Sequence, residues 1–166
     1  MYKTIAAFVE DWTRESAISL NVQRALSDDA LLQRSDPEGN TLGKIAWHMV
    51  VMIGMTGSAV GLEVVAPPRG TEPPGSAAGI ADAYQTAARS IGEQASTRLR
   101  DEQLPSLITY FGRSIPAASA LQALIRHQIH HRGQMTILMR QAGLVVPGVY
   151  GPSREETAAI RARQKA

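Results

Sequence analysis

The sequence predicts an all-α protein, a four-helix bundle with long connections and a short C-terminal helix. Three observations carry that expectation. Apolar residues recur at spacings of three and four along four long stretches of good helix formers, segments rich in Pro and Gly separate those stretches, and cap or stop residues mark several of their ends. At 166 residues, the chain reads as a single domain, 1–166, that can bury its own core without disulfides or a structural metal.

The first stretch runs from about Tyr2 to Leu26, with Ile5, Phe8, Trp12, Leu20 and Leu26 falling mostly three or four residues apart or at sums of those steps. "SDDALLQRSDPEGN" then ends it with turn chemistry. A second helix starts with Asn40 or Thr41 as N-cap and continues through "LGKIAWHMVVMIGMTGSAV", which is apolar on more than one side and should be deeply buried. "GLEVVAPPRGTEPPGSA" cannot be helical, because Pro67, Pro68, Pro73 and Pro74 interrupt it, and it reads as a long surface connection.

A third helix spans about Ile80 to Arg100, and "DEQLPSLITYFGRSIP" after it reads as an extended crossover, with β-branched and aromatic residues between prolines. The fourth helix begins near Pro116, a favoured first-turn residue, and runs to about Ala142, where Gly143 is a natural stop. Ser153 caps a short last helix, "REETAAIRARQ".

Composition removes several function classes. Lys and Arg are scattered rather than run together and the formal charge is only +2, so nucleic acid is not an expected partner. With no cysteine there is no disulfide framework, no thiolate ligand and no Cys nucleophile, which agrees with a cytoplasmic location. Charge enters "MYKTIAAFVEDWTRE" too early for a signal peptide and no stretch is apolar enough to span a bilayer, so the expectation is an unprocessed chain with no membrane partner.

"RHQIHHRGQM", Arg126 to Met135, holds three of the four histidines. His127 and His131 stand at i and i+4, about 40° apart around a helix, so their side chains point the same way. His130 lies about 100° from His131 and reads as a surface or interface residue, with general base as the alternative. Ala120, Leu124, His127, His131, Gln134 and Leu138 form one stripe, and Ile45, His48, Met52 and Thr56 form a similar one on the second helix. Both stripes should face one bundle interior, where three imidazoles without partners would be costly.

A shared divalent cation meets that cost, and so do ordinary hydrogen bonds; spacing alone leaves both readings standing. Three protein ligands with an open position would be the arrangement of catalytic rather than structural zinc. Other metal chemistries lack their residues: no Asp or Glu stands three residues before a histidine, and position 128 is Gln where a zincin carries Glu. No nucleophile elbow, Walker loop or dinucleotide fingerprint occurs.

"HQIHHRGQMTILMRQAGL" resembles the last-bundle-helix motif of the DinB/YfiT-like superfamily, of the type His-x-x-x-His-Arg-Gly-Gln, and His48 in "TLGKIAWHMV" matches the second-helix position that supplies the third family ligand. "VPGVYGPS" is similar to the family's tail. The resemblance implies a four-helix bundle, often a homodimer, in which His48, His127 and His131 hold one divalent ion. Zinc and nickel come first, with iron and manganese also suited to imidazole. Relatives include thiol-dependent S-transferases and a thiol-dependent isomerase, so the expected function is a metal-dependent enzyme that activates a low-molecular-weight thiol for S-transfer to a small-molecule substrate. The alternatives are a metal-dependent hydrolase and a binding protein without turnover.

The neighbours carry their own expectations. Gln134 is expected to support a ligand by a hydrogen bond and Arg132 to form a surface ion pair, with direct catalysis the alternative for both, and Gly133 is expected to permit close helix packing. Tyr84, Tyr110 and Tyr150 can present phenols near a pocket or simply pack, while Trp12 and Trp47 belong to the core. Arg113, Arg126 and Arg140 are the cations considered for an anionic thiol.

Overall fold

A computed structural model describes residues 1–165. The bundle helices are α1 (Ile5–Arg24), α2 (Leu42–Ala59), α3 (Ala77–Arg98) and α4 (Ala117–Gln141), and α5 (Arg154–Arg163) follows them. Helix α1 packs on α3 and α4, and α2 packs on the same two, so the order round the bundle is α1, α3, α2, α4. Consecutive α1 and α2 therefore sit across the bundle from each other, which explains why a long connection, including a 3-10 turn at Asp28–Leu32, must join them. Phe8, Leu42, Met49, Ile53, Ile91 and Leu124 are among the core side chains at their meeting point.

Helices α1, α2, α3 and α5 begin where a side chain supplies an oxygen for the first free amides. Thr4, Thr41, Ser76 and Ser153 accept from Ala7, Lys44, Gly79 and Glu156 amides, respectively, and Glu156 returns the bond to Ser153 in a capping box. Helix α4 has only Pro116 at its cap position, so backbone carbonyls take over: Ala117 N donates to Ser106 O and Ala118 N to Leu104 O. Gly143, at φ +76°, ends α4 in the left-handed region that favours glycine.

The stretch before α4 is extended, but it doubles back instead of crossing over. Strands β1 (Leu107–Tyr110) and β2 (Arg113–Pro116) pair antiparallel with Tyr110 opposite Arg113. The two turn residues, Phe111 and Gly112, both have positive φ, 48° and 73°, as a tight primed hairpin turn requires. Tyr110 Oη lies 3.1 Å from Thr56 Oγ1, which pins the hairpin to α2.

The proline-rich connection between α2 and α3 lies close against the bundle. Trp47 Nε1 donates to Thr71 O at 2.7 Å, and Val65 N donates to Ser90 Oγ at 2.9 Å. Gly54 and Gly57 of α2 give it room: a Cβ at Gly54 would stand 2.7 Å from Ala66 Cβ, and one at Gly57 would stand 2.2 Å from Val64 Cγ2.

Helix α5 docks through Arg140, whose two terminal nitrogens reach both Glu155 carboxylate oxygens at 2.6 and 2.8 Å. That guanidinium holds the Glu155 carboxyl down at about 2.

Candidate metal centre

Two helices build the site. Helix α2 presents His48, and α4 presents His127 and His131 one turn apart. Their relative height is set by Gln128, which is fully buried between the helices. Gln128 Nε2 donates to Met49 O at 3.1 Å, and its Oε1 accepts from Tyr84 Oη at 3.0 Å. A side chain that bonds the carbonyl next to His48 from the residue next to His127 brings those two imidazoles to one level.

The three Nε2 atoms converge. His127 Nε2 is 3.0 Å from His48 Nε2 and 3.0 Å from His131 Nε2. One ligand atom from each of the three residues can be chosen so that all lie within 4.8 Å of one another. His131 Nδ1 is 2.7 Å from Gln134 Oε1, so the proton sits on Nδ1, donated to that amide oxygen, and the Nε2 lone pair is left facing the cluster. His127 Nδ1 is buried with no hydrogen-bond partner among the described residues.

This donor set fits a divalent cation. A single proton on His127 Nε2 can serve only one of its two neighbours at a time, whereas one cation accepts a lone pair from each ring. Protonation is also disfavoured. Burial, followed by the charge that His131 and His48 would carry, pushes His127 down to about 4, and burial lowers His48 and His131 as well. The rings are therefore neutral near pH 7, the form a metal requires.

The setting differs from the expected bundle interior. His48 is exposed and His127 and His131 are half-buried, so the cluster lies at the rim between α2 and α4, open to solvent. The stripes do face inward at Ala120, Leu124 and Thr56, but a cleft of about 620 Å³ opens to solvent beside His48 and His131. Lys44, His48, His131 and Gln134 line it beside the apolar Ile45 and Leu138. A second cleft of about 370 Å³ adjoins His48 from the side of Trp47 and Phe111.

Arg132 is not at the surface. It is 1% exposed and turns away from the imidazoles toward α1, where it donates to Glu15 Oε2 at 2.6 Å, Ser19 Oγ at 3.0 Å and the Glu15 carbonyl at 3.0 Å. Tyr150 Oη, from the tail after α4, is 2.5 Å from Arg132 Nη2 and donates to Glu15 Oε2 at 2.7 Å. Gly133 is exposed and a Cβ there would meet open space, so it brings no helix of this chain closer.

His130 is exposed, with its ring 4.9 Å from that of His131. Tyr84 is buried on Gln128, while Trp12 and Trp47 are in the core as expected. Of the three arginines considered for a thiol, Arg140 is paired with Glu155, and Arg113 and Arg126 line neither cleft. The cations at the clefts are Lys44 and Arg69, whose places no motif marks.

The profile of the DinB family matches residues 1–165. The chain belongs to the DinB family. It is 42% identical over 158 residues to the uncharacterized protein YrdA of Bacillus subtilis (strain 168), a match covering 95% of each chain. A crystal structure of a DinB-like protein from Bacillus cereus ATCC 10987 superposes with a TM-score of 0.86 at 41% identity, covering 90% of this chain and 100% of that one. The DinB-like protein YjoA of Bacillus subtilis shares the fold at a TM-score of 0.69 and 20% identity, over 89% of this chain and 99% of that one. No helix among the described residues is long and apolar enough to cross a membrane.

Proposed function

We propose that this DinB-family chain is a cytoplasmic, divalent-metal-dependent enzyme whose His48, His127 and His131 hold the ion and whose reaction transfers a low-molecular-weight thiol to a small-molecule electrophile. The observation that carries it is the approach of three imidazole nitrogens at the mouth of an open cleft. An ion held there supplies Lewis acidity, which favours the thiolate form of a bound thiol at neutral pH.

The chain's own residues do the rest. Gln134 holds the His131 ring in the tautomer that donates its Nε2 lone pair. Lys44, on the ridge of α2 that the larger cleft shares, has no carboxylate partner among the described residues and gives the mouth of the site a positive charge that favours anionic substrates. The nucleophilic sulfur must come from a cosubstrate, because the chain has no cysteine.

The hydrolase alternative is weaker in the larger cleft, the one that both His48 and His131 line; the carboxylate of the adjoining cleft is Glu72. No Asp or Glu lines the larger cleft, so a carboxylate general base of the kind hydrolysis commonly uses is missing there.

Elemental analysis of the purified chain and its single alanine variants tests the ligands. About one divalent ion per chain is expected, with loss in His48→Ala, His127→Ala and His131→Ala and retention in His130→Ala. Full occupancy in His48→Ala sinks the assignment. Incubation of the metal-loaded protein with an electrophile panel, with and without bacillithiol, mycothiol or glutathione, tests the reaction by adduct mass. A metal-dependent rate that ignores added thiol moves the reading to the hydrolase.

A further inference from the structure

Two clefts, not one, meet at the histidine cluster. Lys44 and His48, one turn apart on α2, line both and form the ridge between them. Resting on the metal-dependent transfer reading above, we propose that the smaller cleft is the electrophile subsite and takes an organic anion with an apolar or aromatic body, its charge set against Lys44 and Arg69.

The floor of this cleft is apolar. Trp47, Met52 and Met55 of α2 supply it, and Phe111 at the hairpin tip closes one side. Trp47 is buried in the core, which fixes that part of the floor, while the half-buried Met55 leaves the rest adaptable to ligand shape. Phe111 stays 57% exposed and holds a positive φ of 48°, a conformation in which a bulky residue is uncommon. The turn geometry would suit Asn better; the ring packs edge-on against Tyr110, 4.7 Å between centroids, and the rest of it stays open at the cleft, where a ligand can lie against it.

The charges are placed to fit. Lys44, Arg69 and Glu72 are the ionisable side chains lining the cleft beside His48. None of the three forms an ion pair among the described residues, which leaves an excess of one positive charge. Arg69 lies on the proline-rich connection, within the turn in which Thr71 N and Oγ1 both donate to Pro68 O. Because Trp47 Nε1 donates to Thr71 O, the backbone beside the cation is tied to the same tryptophan that floors the cleft.

Calorimetric titration of the full chain with 4-phenylbutyrate and with its neutral amide, 4-phenylbutanamide, tests this subsite without any turnover. The carboxylate is expected to bind about fivefold more tightly than the amide, the order an exposed ion pair supports. The Lys44→Gln/Arg69→Gln double variant should lose that preference. Phe111→Asn, which the turn accepts, should weaken both ligands by a similar factor and keep the preference.

Repeating the titration with His127→Ala and with chelated wild type separates this proposal from the metal reading. A preference that persists there supports the subsite whether or not the ion is catalytic, while a preference that vanishes with the ion places the carboxylate on the metal and overturns the subsite. Equal affinity for acid and amide, or a preference untouched by the double variant, overturns it too.

Discussion

At the residue scale the most consequential side chain outside the cluster is Arg132. Its guanidinium and the Glu15 carboxylate are both almost wholly buried, and Ser19 and Tyr150 take up further hydrogen-bonding capacity. Removing one partner leaves the other charged and unpaired in the interior, which costs about 3–5 kcal/mol, whereas replacing both with apolar groups of similar volume costs far less. Arg132→Met is therefore expected to destabilise the chain by that amount in urea unfolding, and Glu15→Leu/Arg132→Met to recover most of it. A loss below about 1 kcal/mol in Arg132→Met contradicts the account. One member of this pair, Glu15, was legible though not singled out: it falls on the same stripe as Ile5, Phe8, Trp12 and Val22, where a carboxylate needs a buried partner. Arg132 was not, because a motif names residue types in order and does not say which way each side chain turns.

At the element scale the helices were legible because capping and periodicity are local. Thr41, Gly143 and Ser153 mark ends where they were expected. The hairpin was not, since Phe-Gly lacks the Asn or Asp that usually announces a primed turn, and its positive φ values are held by strand pairing and by Tyr110 on Thr56. The second cleft was hidden for a related reason: its wall is a non-helical connection, whose position depends on long-range bonds such as Trp47 to Thr71. Glycines test that packing directly. Gly54→Ala gains about 1 kcal/mol of helix propensity, but its Cβ would press on Ala66 Cβ, which has no rotamer with which to yield. The overpacking term, about 1–3 kcal/mol, should win and lower the stability. Gly133→Ala, exposed and facing open space on α4, should raise stability by roughly 0.5–1 kcal/mol. Thermal unfolding of the two variants with opposite signs supports the packing, and two shifts of the same sign refute it.

At the scale of the whole molecule, the histidines couple protonation to the stability of the fold. In the metal-free chain His127 is pushed down to about 4 while the unfolded histidine titrates near 6.5, so between those values the unfolded state binds more protons. Stability from this site is then fully present above about pH 6.5 and is lost as the pH falls toward about 4. His48 and His131, also lowered by burial, act in the same direction. A divalent ion held as proposed by the neutral rings would add stability that grows with its concentration, while the core of Phe8, Met49, Leu124 and their neighbours does not include the cluster. Chelation at pH 7 should therefore lower the unfolding midpoint but leave one cooperative transition. Melting curves between pH 4 and 7 should slope less steeply with pH in a His48→Asn/His127→Asn/His131→Asn variant than in the chelated wild type, because the groups that titrate differently in the two states are gone. An equal slope in that variant would place the acid sensitivity elsewhere, and loss of cooperative unfolding on chelation would make the ion part of the fold.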